Sequence, residues 1–393
     1  MVALVCLVLQ GCATWQPPPN PAEQPWRDRA VTQTSQDVTL KAAVLSADEC
    51  IQLFGDDLNA RGIQSVWVEV INGSANSLWL LQSGTDPDYY SPLEVAWPLH
   101  GKFAREANAR IDDYFNSFAF ENPILPGASR SGILFTNPQT LTKLLNVDLL
   151  GNRTLVPFTL FLRVPEAWGA REVEDTVSRF NTAVAVDYQD PDAFRAALES
   201  LPCYATSAVG GAVGEPLNVV LVGRFEDIAS ALIRRNYRRN IHELDRHQLV
   251  FGAPPDFVLR KTGQGGVPAN WLRIWLAPLR FQGRPVVLVQ AGRPLGGRFQ
   301  DPKQAAPKLH PDVDEVRNLL IQDMMYSGGL AQLGFVGGGQ QPLEPSLPTA
   351  HFRTDGVRAV LVLSIRPRSM SEVDFLDWLP VLQQREAAAA AEE

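Results

Sequence analysis

Alternating hydrophobic and polar positions in the first part of the chain predict strands. The stretch SVWVEVING (residues 65–73) places a valine at every second position, and VPFTLFLRVP (residues 156–165) alternates in the same way. A period of two residues, punctuated by turn sequences such as Asn-Gly-Ser, is typical of antiparallel strands with one buried face. We therefore predict an immunoglobulin-like β-sandwich over residues 37–166, with a short helical insertion near residues 93–118.

The second part of the chain has a different pattern. LNVVLVG (residues 217–223) is a continuous apolar run, which is typical of a strand covered on both faces. The next residues, 224–240, place apolar side chains at helical spacing. Further strands, a helix from HPDVDEVRNLLIQDMM and a late strand AVLVLSIRP follow. This order predicts an α+β sandwich domain over residues 215–370, so the chain as a whole belongs to the α+β class.

Three segments lack these periodicities and are predicted to be connectors or tails. Residues 12–36 are rich in proline, which favours an extended tether. Residues 167–214 are predicted to be a linker that carries one helix and ends in a glycine-rich stretch. Residues 371–393 are predicted to form a C-terminal helical tail.

The extreme N-terminus carries a candidate sorting signal. Residues 2–9 are almost all apolar but are far fewer than the roughly 20 residues that a membrane-spanning helix needs. They match the apolar core of a secretory signal peptide, predicted here as residues 1–11. The alternative is a buried apolar segment with an incidental cysteine. Because no lysine or arginine precedes the run, we expect the translation start to lie upstream of Met1.

The end of the apolar run resembles the lipobox of bacterial lipoproteins. Leu9, Gly11 and Cys12 occupy the lipobox positions, although Gln10 is a less usual residue at its position. The resemblance implies cleavage before Cys12, diacylglycerol on its thiol and acylation of the new amine. Ala13 follows the cysteine, which by the same resemblance favours the outer membrane, facing the periplasm.

The charge distribution argues against nucleic acid as a partner. The chain of 393 residues carries 35 basic and 43 acidic side chains, a formal net charge of −8. The acidic excess lies in residues 30–200, whereas residues 215–330 are mildly basic. The basic residues are too few and too scattered for a nucleic-acid surface. The contrast instead suggests two domains with different partners.

Two cysteines would remain in the mature body of the protein. Cys6 would be lost with the signal peptide and Cys12 would carry lipid, which leaves Cys50 and Cys203. In an oxidising compartment these two could form a disulfide, or they could be separate thiols. The sequence leaves both possibilities open.

Several short motifs in the second domain resemble a known family in the same order. They are EPLNVVLVGRFEDIASAL, FGAPPDFVLRK, NWLRIWLAPL, GRPVVLVQAG and LHPDVDEVRNLLIQD. Together they resemble the LssY C-terminal domain over residues 215–335. At ANWLRIW this chain departs from the family, whose members often have a histidine beside the Leu-Arg pair. The resemblance implies no particular activity but suggests an envelope setting, because some family members follow membrane-embedded regions.

The strand NWLRIW supplies the first candidate site. Trp271, Arg273 and Trp275 are predicted to face one side of the strand. An arginine between two indoles could stack on a ligand or hold an anion. Alternatively, the tryptophans could support the final helix while Arg273 pairs with a carboxylate.

The start of the final helix supplies the second candidate. His310, Asp312 and Asp314 could ligate a divalent metal. The alternative is that the two aspartates complement the helix dipole, since residues two apart on a helix do not face each other. No Gly-x-Ser-x-Gly or P-loop sequence occurs. We assign no catalytic residue, metal ligand or cofactor.

Two functions from different classes are therefore weighed. The first is a lipid-anchored periplasmic envelope protein that acts as a binding or scaffolding module for envelope protein partners. The second is an envelope hydrolase acting on a lipid or phosphate ester. A deep pocket where Arg273 meets His310 or the acidic pair would favour the hydrolase.

Overall fold

The structure is a computed structural model that divides into two compact units, Met1–Ala170 (unit 1) and Arg171–Glu393 (unit 2). It describes residues 15, 18, 24–82, 89–102, 104–139, 142–165, 178–180, 182–207, 213–239, 248–262, 268–293, 312–338, 352, 354–376 and 378. The chain is a mixed α+β protein rich in sheet, as predicted. Within the described residues, no helix has the length and apolar character needed to cross a membrane.

Unit 1 contains two sheets and a helical layer within its described residues. Its strands are β1 (Val31–Ser35), β2 (Val38–Val44), β3 (Gln64–Asn72), β4 (Trp79–Leu80), β5 (Ser129–Thr136), β6 (Thr142–Gly151) and β7 (Thr154–Arg163). Its helices are α1 (Ala47–Phe54), α2 (Pro92–Ala96) and α3 (Arg105–Asn116), with short 3-10 helices at Pro25–Arg27 and Trp97–Leu99. The sheet orders are β1-β2-β3-β5 and β4-β6-β7.

The two sheets of unit 1 pack face to face as a β-sandwich. Val66, Val68 and Val70 of β3 join the core between the sheets. Trp67, one position out of phase, packs on the other side of the same sheet against the helical layer. The alternation read in the sequence therefore describes a strand that is buried on both faces.

The strand order of unit 1 differs from the predicted immunoglobulin type. In that fold the third strand lies in the opposite sheet from the second. Here β3 pairs antiparallel with β2, from Val38 opposite Asn72 to Val44 opposite Val66. The compact connection through α1 returns the chain beside β2. Helix α1 begins with a capping box, because Ser46 accepts from the Glu49 backbone and the Glu49 side chain accepts from the Ser46 backbone.

Unit 2 is built on a large mixed sheet. Its strands are β8 (Val186–Tyr188), β9 (Tyr204–Ser207), β10 (Val213–Pro216), β11 (Val219–Val222), β12 (Tyr237–Arg239), β13 (Gln248–Leu249), β14 (Phe257–Thr262), β15 (Pro268–Phe281), β16 (Arg284–Gly292), β17 (Leu330–Gly337), β18 (Val357–Leu363) and β19 (Asp374–Phe375). Its helices are α4 (Pro191–Glu199), α5 (Phe225–Arg234) and α6 (Val313–Tyr326), with a 3-10 helix at Met370–Glu372. The main sheet runs β12-β14-β15-β16-β11-β18-β17-β19, and β8 pairs with β15.

Both faces of this sheet are covered. Val219 and Leu221 of β11 pack towards α5 and α6. Val220 and Val222 pack towards α4 and a small sheet of order β10-β9-β13. This two-sided burial is the reason for the continuous apolar sequence of β11.

The boundaries of the folded units differ from the predicted ones. Residues 24–36, predicted as part of the tether, include a 3-10 helix and strand β1. Residues 186–207, predicted as part of the linker, supply β8, α4 and β9 to unit 2. Residues Asp374–Phe375, predicted as helical tail, form a short strand paired with β17. These segments were predicted to be connectors because their sequences lack a repeating pattern of apolar residues. In the structure, side chains of residues 24–36 and 186–207 pack against the cores.

Candidate functional site

Strand β15 places the first candidate residues on a single face, as its alternation predicts. Leu272 and Ile274 pack on the face that carries α5 and α6. Trp275 packs on the opposite face, among residues of α4 and β9. Arg273 lies two residues before Trp275 and therefore faces the same side as it does.

Arg273 is held in a buried polar cluster. Its side chain belongs to a residue only 5% exposed. Its Nη1 donates to Glu215 Oε2 at 2.5 Å and to Gln290 Oε1 at 2.6 Å, and the Gln290 amide donates to the same Glu215 oxygen. The guanidinium carbon lies 4.3 Å from the centroid of the Trp271 ring. The geometry is that of a buried ion pair stacked on an indole.

The carboxylate that pairs with Arg273 is Glu215. Glu215 lies on β10, on the other side of the main sheet from α6. The Trp275 indole donates to Ala253 O at 3.1 Å and is buried in the core. Arg273 and Trp275 thus join the sheet to its covering layer.

Two residues of the second candidate group, Asp312 and Asp314, lie at the start of helix α6. Asp312 is the N-cap of α6 and accepts from the Glu315 backbone at 3.0 Å. Asp314 accepts from the Asp355 backbone at 2.6 Å and lies 3.3 Å from Arg317 Nη1. Burial raises the pKa of Asp314 above its ordinary value, although the Asp355 backbone and Arg317 oppose this change.

The structure does not bring Arg273 and the acidic pair together. Helix α6 packs on one face of the main sheet and Arg273 lies on the other. His310 lies outside the described residues, as does Cys12. In the part of the chain that the structure describes, no group of three histidine, cysteine or acidic side chains is arranged to hold a metal ion.

Sequence reasoning missed a second charged cluster around Asp323. Its carboxylate accepts from the Tyr237 hydroxyl at 2.9 Å, Lys261 Nζ at 2.5 Å and Arg235 Nε at 3.1 Å. Burial and the neighbouring Asp323 carboxylate raise the pKa of Tyr237 well above its ordinary value, so this phenol stays protonated. The contributing residues are far apart in the chain, and no motif connects them.

Sequence reasoning also missed Arg358, which is fully buried in β18. Its guanidinium donates to four backbone carbonyls, namely Leu217 at 2.9 Å, Leu198 at 3.1 Å, Pro202 at 2.7 Å and Gly338 at 3.0 Å. Burial lowers the pKa of Arg358 to about 10. Two of the four carbonyls belong to the predicted linker, so Arg358 fastens that segment to the main sheet.

The two body cysteines are free thiols. Cys50 is buried in unit 1 and Cys203 is half-buried in unit 2. Burial raises the pKa of the Cys50 thiol to about 12, which leaves it unreactive at neutral pH. The disulfide that the sequence left open is therefore absent from the structure.

Unit 1 contains a cleft of about 450 Å³ between β2 and β7. Its lining is mainly aliphatic and includes Val31, Val44 and Leu162. The Arg29 guanidinium at this cleft is engaged with Glu49 and with Val44 O. A cleft of this size can hold a small apolar group beside a cation.

Comparison of the chain with known protein-family models and with curated proteins gives no match. The resemblance to the LssY C-terminal domain therefore stays a prediction.

Proposed function

We propose that this protein is a lipid-anchored envelope protein that acts as a binding or scaffolding module. The lipid would be attached at Cys12, and the expected location is the outer membrane, facing the periplasm. The supporting observation is the position of Trp15, three residues after the proposed anchor. Its indole donates to Phe54 O at 2.8 Å and its ring lies 5.2 Å from the Tyr114 ring, edge to face.

This contact supports a short distance between anchor and folded unit. Three residues span at most about 11 Å, so a lipid on Cys12 would hold α1 and α3 close to the membrane surface. The proline-rich residues after Trp15 would not serve as a long spacer. A module held in this way is positioned to bind envelope components or protein partners at the membrane.

The hydrolase alternative receives less support. A pocket where Arg273 meets His310 or the acidic pair would favour it, but Arg273 and the acidic pair lie on opposite faces of the main sheet. His310 lies outside the described residues. Arg273 is instead paired with Glu215 and Gln290. These partners favour a structural role for the strongest candidate cluster.

The proposal is tested by mass spectrometry of the mature N-terminus and by membrane fractionation. We expect a triacylated Cys12, because two or more acyl chains are needed for stable anchoring. Cys12→Ser should abolish labelling by a fatty-acid probe and release the protein from the membrane fraction. Cys6→Ser, in the same apolar run, is the matched control and should be labelled normally. An unmodified Cys12 in the mature protein would overturn the proposal.

A further inference from the structure

Helix α2 and the turn after it present two apolar side chains to solvent. Leu93 and Trp97 lie four residues apart, and the Trp97 backbone N–H donates to Leu93 O, so both side chains lie on one face. Trp97 is 72% exposed, the largest exposed fraction of any large apolar side chain among the described residues of unit 1, and Leu93 is 48% exposed. Val95 and Ala96, on the other face, are buried in the helical layer. The helix is thus fixed with an apolar face turned outwards.

This apolar face adjoins the point where the proposed anchor reaches unit 1. The centroid of the Trp97 ring lies 5.1 Å from that of the His100 ring, and His100 Nε2 lies 2.9 Å from Asp112 Oδ1 of α3. Three residues further on, about 4.5 Å along the axis of α3, the Phe115 ring lies 6.0 Å from the Trp15 ring. The two indoles are therefore attached to the same turn of α3. A lipid three residues before Trp15 would lie beside this turn.

The outer surface of the neighbouring helix α3 is charged. Its exposed charged side chains carry both signs and are Arg105, Glu106, Arg110 and Asp113. Charged residues are depleted from the dry core of protein interfaces, so this surface does not match such a core. It matches the headgroup region of a bilayer, where zwitterionic lipids also carry both signs. An indole, with an apolar body and one N–H donor, is favoured where headgroups meet acyl chains.

We propose that Leu93 and Trp97 form a membrane-contact surface that enters the bilayer interface beside the lipid anchor. The partner is the phospholipid surface itself. Apolar area buried there adds to the affinity that acyl chains supply. The contact also fixes the orientation of unit 1, because anchor and indole hold it at two points. The proposal rests on the proposed anchoring at Cys12.

The test supplies an artificial anchor, so that it does not depend on natural acylation. The chain from residue 12 with Cys203→Ser is coupled through the Cys12 thiol to a maleimide phospholipid in phosphatidylcholine vesicles. The Cys50 thiol is buried and its pKa is raised to about 12, so it stays uncoupled. Natural acylation of Cys12 is decided separately by mass spectrometry. A failure of the membrane contact is therefore distinguishable from a failure of the anchoring.

The first measurement is quenching of single tryptophans by brominated acyl chains. The emission of one tryptophan is the difference between the parent and its variant, Trp97→Phe or Trp79→Phe. We expect bromine to remove roughly half of the Trp97 emission, because interfacial side chains lie about 5–10 Å into the boundary of headgroups and acyl chains. Trp79 is 45% exposed on the far side of the β-sandwich from the helical layer and should keep its emission. Equal quenching of the two, or no quenching of Trp97, would overturn the proposal.

The second measurement is the affinity that the contact adds. A single myristoyl-length chain on Cys12 gives only reversible membrane binding, so changes in partition are measurable. With this anchor, the double variant Leu93→Ser with Trp97→Ser should bind vesicles about tenfold more weakly than the parent, since affinity grows with buried apolar area. Trp79→Ser should bind as the parent does. Equal partition of the double variant and the parent would contradict the membrane contact.

A second copy of the chain is the competing occupant of this face. The Cys12→Ser chain from residue 12, which carries no lipid, is examined by light scattering with and without the substitutions Leu93→Ser and Trp97→Ser. A monomer in both cases supports the membrane contact. A dimer that the two substitutions dissociate would assign the face to a second copy and overturn the proposal.

Discussion

The predicted connectors and the predicted domain elements differ in how their contacts are spread along the chain. The stretch from β11 to α5 meets the core through regularly spaced apolar side chains, such as Val219, Leu221, Ile228 and Leu232. The segment 186–207 is fastened largely through α4 and through two carbonyls that Arg358 binds. A periodic pattern of apolar positions indicates that one helix or strand contacts the core repeatedly. It gives no sign of a segment that is held by a single side chain distant in the sequence.

The same contrast appears in unit 1. Residues 24–36 were predicted to be tether, yet Trp26 is buried in the helical layer and Arg29 pairs with Glu49 of α1. Trp15 packs on α3. A few large side chains thus bring an irregular, proline-rich segment into the fold. The predictions that follow test how much each of these attachments contributes.

The largest effect is expected at Arg358. Arg358→Met removes the donor that binds four carbonyls, of which Leu198 O also accepts from Leu201 N at 3.3 Å. The change should lower the free energy of unfolding by about 4 kcal/mol, since each buried group left without a partner costs roughly 1–3 kcal/mol. Denaturant titration measures the loss, and hydrogen exchange should show faster exchange in residues 191–207. Arg368→Met, at an exposed arginine, is the control. Unchanged exchange in residues 191–207 would contradict the role given to Arg358.

The next largest effect is expected at Arg273. Arg273→Ala should destabilise unit 2 by about 3 kcal/mol, because Glu215 would remain as a partly buried charge without its partner. The double variant Arg273→Met with Glu215→Leu should recover most of this loss, since neither charge remains. Chemical denaturation compares the two. If Arg273→Ala is as stable as the parent but no longer binds a ligand that the parent binds, Arg273 has a binding role and not a structural one.

A smaller effect is expected at Trp15. Trp15→Ala removes an aromatic contact and a hydrogen bond from unit 1, and should cost about 1–2 kcal/mol without changing lipidation of Cys12. Trp97→Ala, at a side chain that is 72% exposed, should have little effect. A shortened chain used for these measurements should begin before Trp15. A chain that began after the proline-rich segment, at residue 27, would also lack the buried Trp26. Equal stability of Trp15→Ala and the parent would show that Trp15 does not hold the N-terminal segment on unit 1, as expected for a free spacer.

The smallest effect concerns the pH dependence of the Arg29–Glu49 attachment. Burial would raise the pKa of Glu49, but hydrogen bonds from Arg29 and Ser46 outweigh it and hold the pKa below the ordinary value of 4.5. The resulting stability is present above pH 4.5 and is lost as the pH falls through the lowered pKa. We expect a contribution of at most about 1 kcal/mol, because the Arg29 side chain is partly solvated.

The pH effect is measured by thermal unfolding of the parent and Glu49→Gln between pH 7 and pH 3. The variant should be less stable than the parent at neutral pH, and the difference should shrink in acid. A difference that stays constant over this range would show that the Glu49 charge contributes nothing to the attachment.

Several features of the fold could be read from residue patterns. The β3 alternation placed Val66, Val68 and Val70 on one face, and the β11 run indicated a strand covered on both sides. Helix α1 was not predicted, although Ser46 and Glu49 form a capping box that the sequence displays. The immunoglobulin-like detail predicted for unit 1 is not confirmed, since β3 pairs with β2 in one sheet. Pairing partners are not encoded in the pattern of one strand.

The candidate site was read only in part. The alternation of β15 puts Arg273 and Trp275 on one face. Asp312, which one of the two interpretations had complementing the helix dipole, is the N-cap of α6. The sequence did not identify Glu215 as the carboxylate partner of Arg273. A sequence shows which charges exist, but the carboxylate that neutralises a buried arginine is chosen by packing.

The sequence by itself determined the α+β class and the faces of the main strands, since these depend on local periodicity and short-range capping. Only the tertiary structure decided what Arg358, Asp323 and Arg234 do. Arg358 and Asp323 meet partners between 20 and 160 residues away in the chain. Arg234 reaches a carbonyl 131 residues away and keeps a buried donor unsatisfied. Long-range polar contacts follow from how helices and strands pack. A charged side chain that burial removes from water can interact only with the groups that packing places around it, and these groups determine its role.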